Sequence, residues 1–293
     1  MAALGVDGYF QSGHVQLKRL EIPLSRLPQA FDGFTIAQLS DFHYEPHFSA
    51  LPIRQAVEMV NGLHPDLIVL TGDFVTVQMF DYRSHNAPQS ASSAAPCAEI
   101  LQRLQAPMGK FAILGNHDVA ADPAHVTSAL RAHDIPVLLN RSIPLERASS
   151  RIWLAGIDDA LESQPDLGEA LHRVPLDEAV VLLSHEPDFA DVAALSPVDL
   201  QLSGHSHGGQ IWIPGIGAPW LPRLARKYPR GLRQIGRLTL YTNIGIGTIR
   251  APIRLNCPPE VTLITLRAPG RVEVRRSGMI RRGCIEGPPA RTA

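Results

Sequence analysis

The chain has 293 residues, 45% of them hydrophobic and 19% charged, enough to bury a sizeable core in one large α/β domain. A formal net charge of −1 excludes a global attraction to nucleic acid or anionic membranes, and the widely spaced Cys97, Cys257 and Cys284 exclude a disulfide framework or a CxxC zinc site. The first twenty residues lack the apolar core of a signal peptide, and no window reaches the ~20 apolar residues of a transmembrane helix.

In chain order, VQLKRLEI (15–22) alternates and predicts an edge strand, whereas FTIAQLSD (34–41) is an apolar run ending in an acid and predicts a buried one. SALPIRQAVEMVNGL (49–63) predicts a helix with Ser49 as cap and Pro52 in the first turn. Ile53, Val57 and Val60 line one face and Gly62 sits at its end. DLIVLTGD (66–73) is a second apolar strand ending in Asp. Residues 78–96 follow that tip. They are small and polar, and read either as a flap over a site or as a disordered insertion. KFAILGNHD (110–118) is a strand ending in Asn116, His117 and Asp118, followed by a helix capped by Asp122. Asp158 and Asp159 follow a short strand and read as turn residues or as groups that support the site from behind. AVVLLSHEPD (179–188) carries His185 at a strand end, and VDLQLSGHSH (198–207) ends in His205 and His207. Residues 268–293 hold Arg271, Arg275, Arg276, Arg281 and Arg282 without a helical stripe. They read as a disordered tail or a basic tether.

Strand, polar tip and helix recur, which is an α/β order, and ligands of such sheets bind beyond the strands' carboxyl ends. Five tips carry metal-ligand chemistry: Asp41 with His43, Asp73, Asn116 with His117, His185, and His205 with His207. A lone HxH would read as two solvated histidines. On a strand, though, residues i and i+2 share a face, and five such tips together override the solvated reading. His14, His64, His85, His125, His133 and His172 read as surface or loop residues, while His47, four past His43, could reach a substrate.

DFH, TGD, GNHD, SHEPD and GHSHGGQ, in that order, resemble the calcineurin-like metallophosphoesterase superfamily. Within it, IPLSRLPQAFDGFTIAQLSD and TNIGIGTIRAPIRLNCPPEVTLITL resemble the YkuE-like branch of bacterial phosphodiesterases. The resemblance implies a four-layer sandwich of two mixed β-sheets flanked by α-helices over residues 1–267. It also implies a dinuclear metal site at the strand C-terminal ends. Asp41, His43 and His207 would hold one divalent ion, Asn116, His185 and His205 the other, and Asp73 would bridge. The ions would be Mn, Fe or Zn. A hydroxide shared by the metals would attack phosphorus, with His117 as general acid and Asp118 orienting its ring or merely leading a helix. Ser206 replaces the branch's usual Thr, which is silent if only the histidines bind metal. GDFVTVQ lacks the arginine that follows G-D in phosphoprotein phosphatases.

The function so implied is hydrolysis of a phosphodiester or pyrophosphate, lipid-linked or nucleotide-linked. Phosphomonoester hydrolysis and a non-catalytic metal-binding scaffold stand as alternatives. The stretch 211–232 sets Trp212, Trp220 and Leu221 beside Arg223, Arg226 and Lys227. That makes Trp212 and Arg223 candidate substrate contacts and peripheral membrane contact an expectation, unless Trp212 merely packs the loop. No nucleic acid or protein partner is expected, and a cytoplasmic location, with or without such membrane contact, follows from the apparent lack of a leader.

Overall fold

The apolar runs pair into two mixed sheets in the computed structural model, which describes residues 12–78 and 87–270. The first holds β1 (Gln16–Pro23), β2 (Thr35–Leu39), β3 (Leu67–Thr71), β4 (Lys110–Ile113) and β11 (Glu260–Arg267), in the order β1-β11-β2-β3-β4. The second holds β5 (Arg141–Arg147), β6 (Ser150–Gly156), β7 (Val180–Leu183), β8 (Leu200–Ser203), β9 (Gly231–Ile235) and β10 (Leu238–Thr242), in the order β5-β6-β7-β8-β10-β9. The strands that end at the polar tips run parallel within their sheets: β2, β3 and β4 in one, β7 and β8 in the other.

Continuous hydrophobicity follows from burial on both faces. In β3, Leu67 and Val69 point between the sheets, while Ile68 and Leu70 point outward under helices α1 (Ala50–Leu63), α3 (Ala94–Leu101) and α5 (Pro123–Ala132). In β7, Val181 and Leu183 meet the first sheet, while Val180 and Leu182 pack against α6 (Leu167–Leu171) and α7 (Ala190–Ala193). The result is the expected four-layer sandwich of helices, sheet, sheet and helices. Under the tips, buried Gln38 of β2 donates from Nε2 to Thr71 Oγ1 (3.1 Å) and to Ser203 O of β8 (2.9 Å), pinning one sheet to the other.

Three expectations need correction. Helix α1 ends at Leu63 with His64 in the left-handed region (φ 50°), not at Gly62, because His64 turns its N–H back to Asn61 O. Ser49 stands at the N-cap without capping. Its hydroxyl instead donates to His43 O (3.0 Å) and accepts the Glu45 N–H (2.6 Å), so it ties α1 to the first strand tip. The segment 78–96 is not wholly a loop. Residues 79–86 lie outside the described residues, but α2 (Ala87–Ser90) and α3 follow. Buried Ala91, Ala94, Cys97 and Ala98 there join the core over α1. Small side chains that suggest a linker in sequence here permit close helix packing. The tail arginines from Arg271 onward lie outside the described residues. Among those described, no helix is long and apolar enough to cross a membrane.

Candidate metal centre and substrate cavity

The five tips converge. Asp41, His43 and His207 present donor atoms within 4.8 Å of one another, as do Asp73, His185 and His205, and again His43, Asp73 and His117. One oxygen links the groups: Asp73 Oδ2 lies 3.1 Å from His185 Nε2 and 3.4 Å from His43 Nε2. Nε2 of His207 lies 3.0 Å from Nε2 of His43 and 3.3 Å from Asp41 Oδ1. Asn116 starts helix α4 (Asn116–Ala121). Its amide oxygen Oδ1 is buried and accepts no hydrogen bond.

The backbone is strained where the ligands sit. Asp41 (φ 52°), His43 (41°), Asp73 (59°), His205 (66°) and His207 (51°) are all left-handed, each at a cost of about 1 kcal/mol or more. His205 and His207 therefore do not share a strand face as expected. Strand β8 ends at Ser203, and a left-handed turn aims each ring at a different group. Glycine is required beside them. A Cβ on Gly204 would strike Ser40 Oγ and the Asp41 carboxylate, and one on Gly115 would strike Asp73 Oδ1.

The ring nitrogens facing away from the centre meet oxygens. His185 Nδ1 donates to Thr71 O (2.6 Å), His205 Nε2 donates to Arg223 O (2.8 Å), and His43 Nδ1 lies 3.1 Å from Thr76 Oγ1. In the neutral ring that places a lone pair on the inward Nε2 of His185, 3.1 Å from the Asp73 carboxylate. Acceptors facing acceptors need a positive charge between them. Two carboxylates, four imidazoles and an amide oxygen, so arranged, fit divalent cations.

Without a cation, protons serve. Burial disfavours the His185 charge, but Asp73 and Asp41 outweigh it and hold its pKa well above the ordinary value. Burial likewise opposes the Asp73 charge, but His185 and His117 keep its pKa well below normal, whereas burial raises that of Asp41. Burial and then neighbouring His185 lower His205 to about 4. Burial, His43 and Arg254 lower His207 well below normal.

His117 lines the cavity beside these groups, and its backbone N–H donates to Asp73 Oδ1 (2.9 Å). Its ring is oriented by the backbone: the Val77 N–H donates to Nδ1 (3.0 Å), which leaves the proton on Nε2. Burial lowers its pKa to about 3, with Asp73 pulling up and His43 pushing down, so the ring is neutral. Asp118, expected as a possible ring-orienting partner, is committed elsewhere. Its Oδ1 accepts the N–H groups of Phe74 (2.8 Å) and Val75 (3.1 Å), and its Oδ2 those of Asp73 (2.8 Å) and Gly115 (3.0 Å). Burial and then the Asp73 charge push its pKa up to about 8. Four donors leave no room for a proton on either oxygen, so we assign the carboxylate.

A cavity of about 230 Å³ opens from Asp73, Asn116, His117, His205 and His207 toward Leu161, Trp220, Arg223, Ile249 and Arg250. Arg223 is part of this lining. Trp212 is absent from it, its N–H bonded to Leu255 O (2.9 Å) and its ring held 4.4 Å under the Arg230 guanidinium. The corresponding position in the cavity belongs to Trp220, with Arg250 over its ring at 4.5 Å. His47 is exposed and outside this lining, and Asp159 serves its turn by accepting the N–H groups of Leu161 (3.0 Å) and Glu162 (2.6 Å).

Sequence reasoning missed Arg254. Its guanidinium is fully buried, donating to Gly247 O (3.0 Å), Ile244 O (2.9 Å) and Cys257 O (3.0 Å), and its Nη2 lies 3.3 Å from Nδ1 of His207. Burial lowers its pKa to about 10, which leaves it a cation at neutral pH. It anchors the loop after β10 behind the His207 ring. An arginine in the proline-rich run APIRLNCPPE carries no signal of this.

The model of the calcineurin-like phosphoesterase family matches residues 34–209. Among curated proteins, the chain is similar to the metallophosphoesterase YkuE of Bacillus subtilis, 35% identical over 266 residues and 90% of each chain. It is also similar to the phosphodiesterase YaeI of Escherichia coli, 34% identical over 239 residues, 80% of this chain and 82% of that one. Among solved structures, a putative 5′-nucleotidase from Staphylococcus aureus aligns with TM-score 0.47 at 14% identity, over 80% of this chain and 55% of that one.

Proposed function

This chain belongs to the calcineurin-like phosphoesterase family, metal-dependent hydrolases of phosphoesters, and from that premise we propose that it cleaves a phosphodiester or pyrophosphate with the neutral His117 ring as hydrogen-bond donor to the leaving oxygen, which takes its proton from water. The observation that carries this reading is the wall of the cavity. Leu161, Trp220, Pro222 and Ile249 are apolar and stand beside the candidate metal ligands. Such a wall can cover an organic substituent on phosphorus, and a diester or pyrophosphate carries one beyond the single substituent of a phosphomonoester.

Asp41, His43 and His207 would hold one divalent cation, Asn116, His185 and His205 the second, with Asp73 shared. Mn, Fe and Zn all suit this donor set. Bound there, the cations supply Lewis-acid activation of water and charge neutralisation at phosphorus. The remaining work falls to the chain. Val77 fixes the His117 tautomer, so that Nε2–H is the atom offered to the leaving oxygen as its charge develops. Arg223 and Arg250, across the cavity, attract the phosphate charge, and Trp220 offers a face to a lipid-linked or nucleotide-linked substituent.

The test is hydrolysis of bis(p-nitrophenyl) phosphate against p-nitrophenyl phosphate by metal-stripped protein with Mn²⁺ restored. Faster, Mn²⁺-dependent diester cleavage supports the reading. Preference for the monoester refutes it in favour of a phosphomonoesterase, and bound metal with neither ester cleaved points to a scaffold.

A further inference from the structure

Immediately after His207 the surface changes character. Ile211, Ile213, Ile216 and Trp220 are exposed, four large apolar side chains within ten residues. Ile213–Gly217 is a tight turn. Gly217 N–H donates to Ile213 O (2.8 Å), Ile213 N–H donates to Gly217 O (2.9 Å), and Pro214 and Gly215 occupy the tip. Ile216 is 79% exposed there. Pro214 and Gly215 meet the demands of the turn, whereas Ile216 beside them buries little of its side chain, so this apolar group serves something other than folding.

Charge is concentrated in the same segment. From Leu200 to Pro259 there are seven arginines and one lysine and no Asp or Glu, in a chain whose formal net charge is −1. Two of these cations add nothing to the outer face: Lys227 is paired with Asp191 (2.8 Å), and Arg254 is buried. Arg223, Arg226 and Arg250 are exposed, and Arg250 lies over the Trp220 ring. Trp220, Arg223 and Arg250 line the cavity, and the apolar turn ends three residues before Trp220, so the segment from Ile213 to Arg223 runs into a rim at the cavity's mouth.

We propose that this rim docks on an anionic lipid surface. Ile213 and Ile216 enter the boundary between headgroups and acyl chains, Trp220 sits at headgroup level, and the arginines meet the anionic headgroups while their stems stay against apolar surface. The near-zero net charge does not oppose this, because a lipid surface responds to the charge within a Debye length, about 10 Å at 0.1 M salt, not to the sum over the chain. A nucleic acid would use the arginines and gain nothing from exposed isoleucines. The inference goes beyond hydrolysis and does not depend on it. Its consequence is a cavity mouth that faces headgroups.

The experiment is sedimentation of the full-length, metal-free protein with vesicles of phosphatidylcholine alone or with about 30% phosphatidylglycerol, at about 0.1 M and about 0.5 M NaCl. Binding should be at least about tenfold stronger to the anionic vesicles and should weaken in the higher salt. The double variant Ile213→Ser, Ile216→Ser should lose about tenfold or more of that binding while hydrolysing a soluble diester at the unaltered rate. The proposal is overturned if the anionic vesicles leave the protein in the supernatant. It is equally overturned if the double variant binds as the parent does, or if duplex DNA of unrelated sequence displaces the protein from the vesicles.

Discussion

Replacing Asp118 with Asn keeps the side chain's shape and removes half of its accepting capacity. Each carboxylate oxygen now takes two backbone N–H groups, Phe74 and Val75 on one and Asp73 and Gly115 on the other. In the amide, one of those pairs faces an NH₂ group, so two buried donors lose their acceptor. At about 1–3 kcal/mol for each, the variant loses about 2–6 kcal/mol. That is a large share of the 5–15 kcal/mol that typically separates a folded domain from its unfolded chain. The same four bonds hold the left-handed turn at Asp73 and the entry into α4, which starts at Asn116, so metal affinity should fall along with stability. Urea unfolding of the metal-free proteins gives the first quantity, and Mn²⁺ calorimetry the second. The reasoning is refuted if Asp118→Asn unfolds at the parent's urea midpoint and binds Mn²⁺ as tightly, yet hydrolyses esters about a hundredfold more slowly. Asp118 would then act on the His117 ring after all.

Three further outcomes are expected. His117→Ala should keep its metals and lose about 10²–10⁴ in rate on an alkyl diester, with a smaller loss on a nitrophenyl ester. An unchanged alkyl rate removes His117 from the mechanism. Arg254→Met should weaken Mn²⁺ binding about tenfold or more by releasing the loop behind His207, and unaltered affinity would mean that the guanidinium only fills space. Metal binding should release a proton at neutral pH, because Asp73 and Asp41 overcome burial and hold the metal-free His185 in its charged form. Lower pH favours that proton, so affinity should fall about tenfold per pH unit for each proton displaced. Mn²⁺ calorimetry in two buffers of different ionisation enthalpy reads the release, and identical heats would contradict it.

The layers and the convergence of the tips were legible in the sequence for one reason. A strand buried on both faces is a largely apolar run, broken here by a hydrogen-bonded Gln38 or Gln201, so a charged or imidazole side chain at its end stands out. FTIAQLSD, DLIVLTGD and VDLQLSGHSH all have that form. What stayed hidden depends on contacts between distant segments. Nothing local in GNHD says that the carboxylate of Asp118 turns back to cap the loop of Asp73, 45 residues earlier. Trp212 and Trp220 are equally aromatic in sequence. Only the Ile213–Gly217 turn and the Leu255 pairing decide that Trp220 reaches the cavity. Arg254 carries no signal in the sequence because its partners are three backbone carbonyls, which have no side-chain signature. The helix Ala94–Leu101 was obscured because small residues favour linkers and close helix packing alike.

The central claim is that two cations held by Asp41, His43, Asp73, Asn116, His185, His205 and His207 make this chain a diester hydrolase. It is tested most directly by titrating metal-stripped protein with Mn²⁺ and reading bound metal and bis(p-nitrophenyl) phosphate hydrolysis on the same samples. The account predicts saturation at two equivalents, with hydrolysis appearing as the second equivalent binds. Saturation at one equivalent with full activity, or two equivalents bound without hydrolysis, would contradict it.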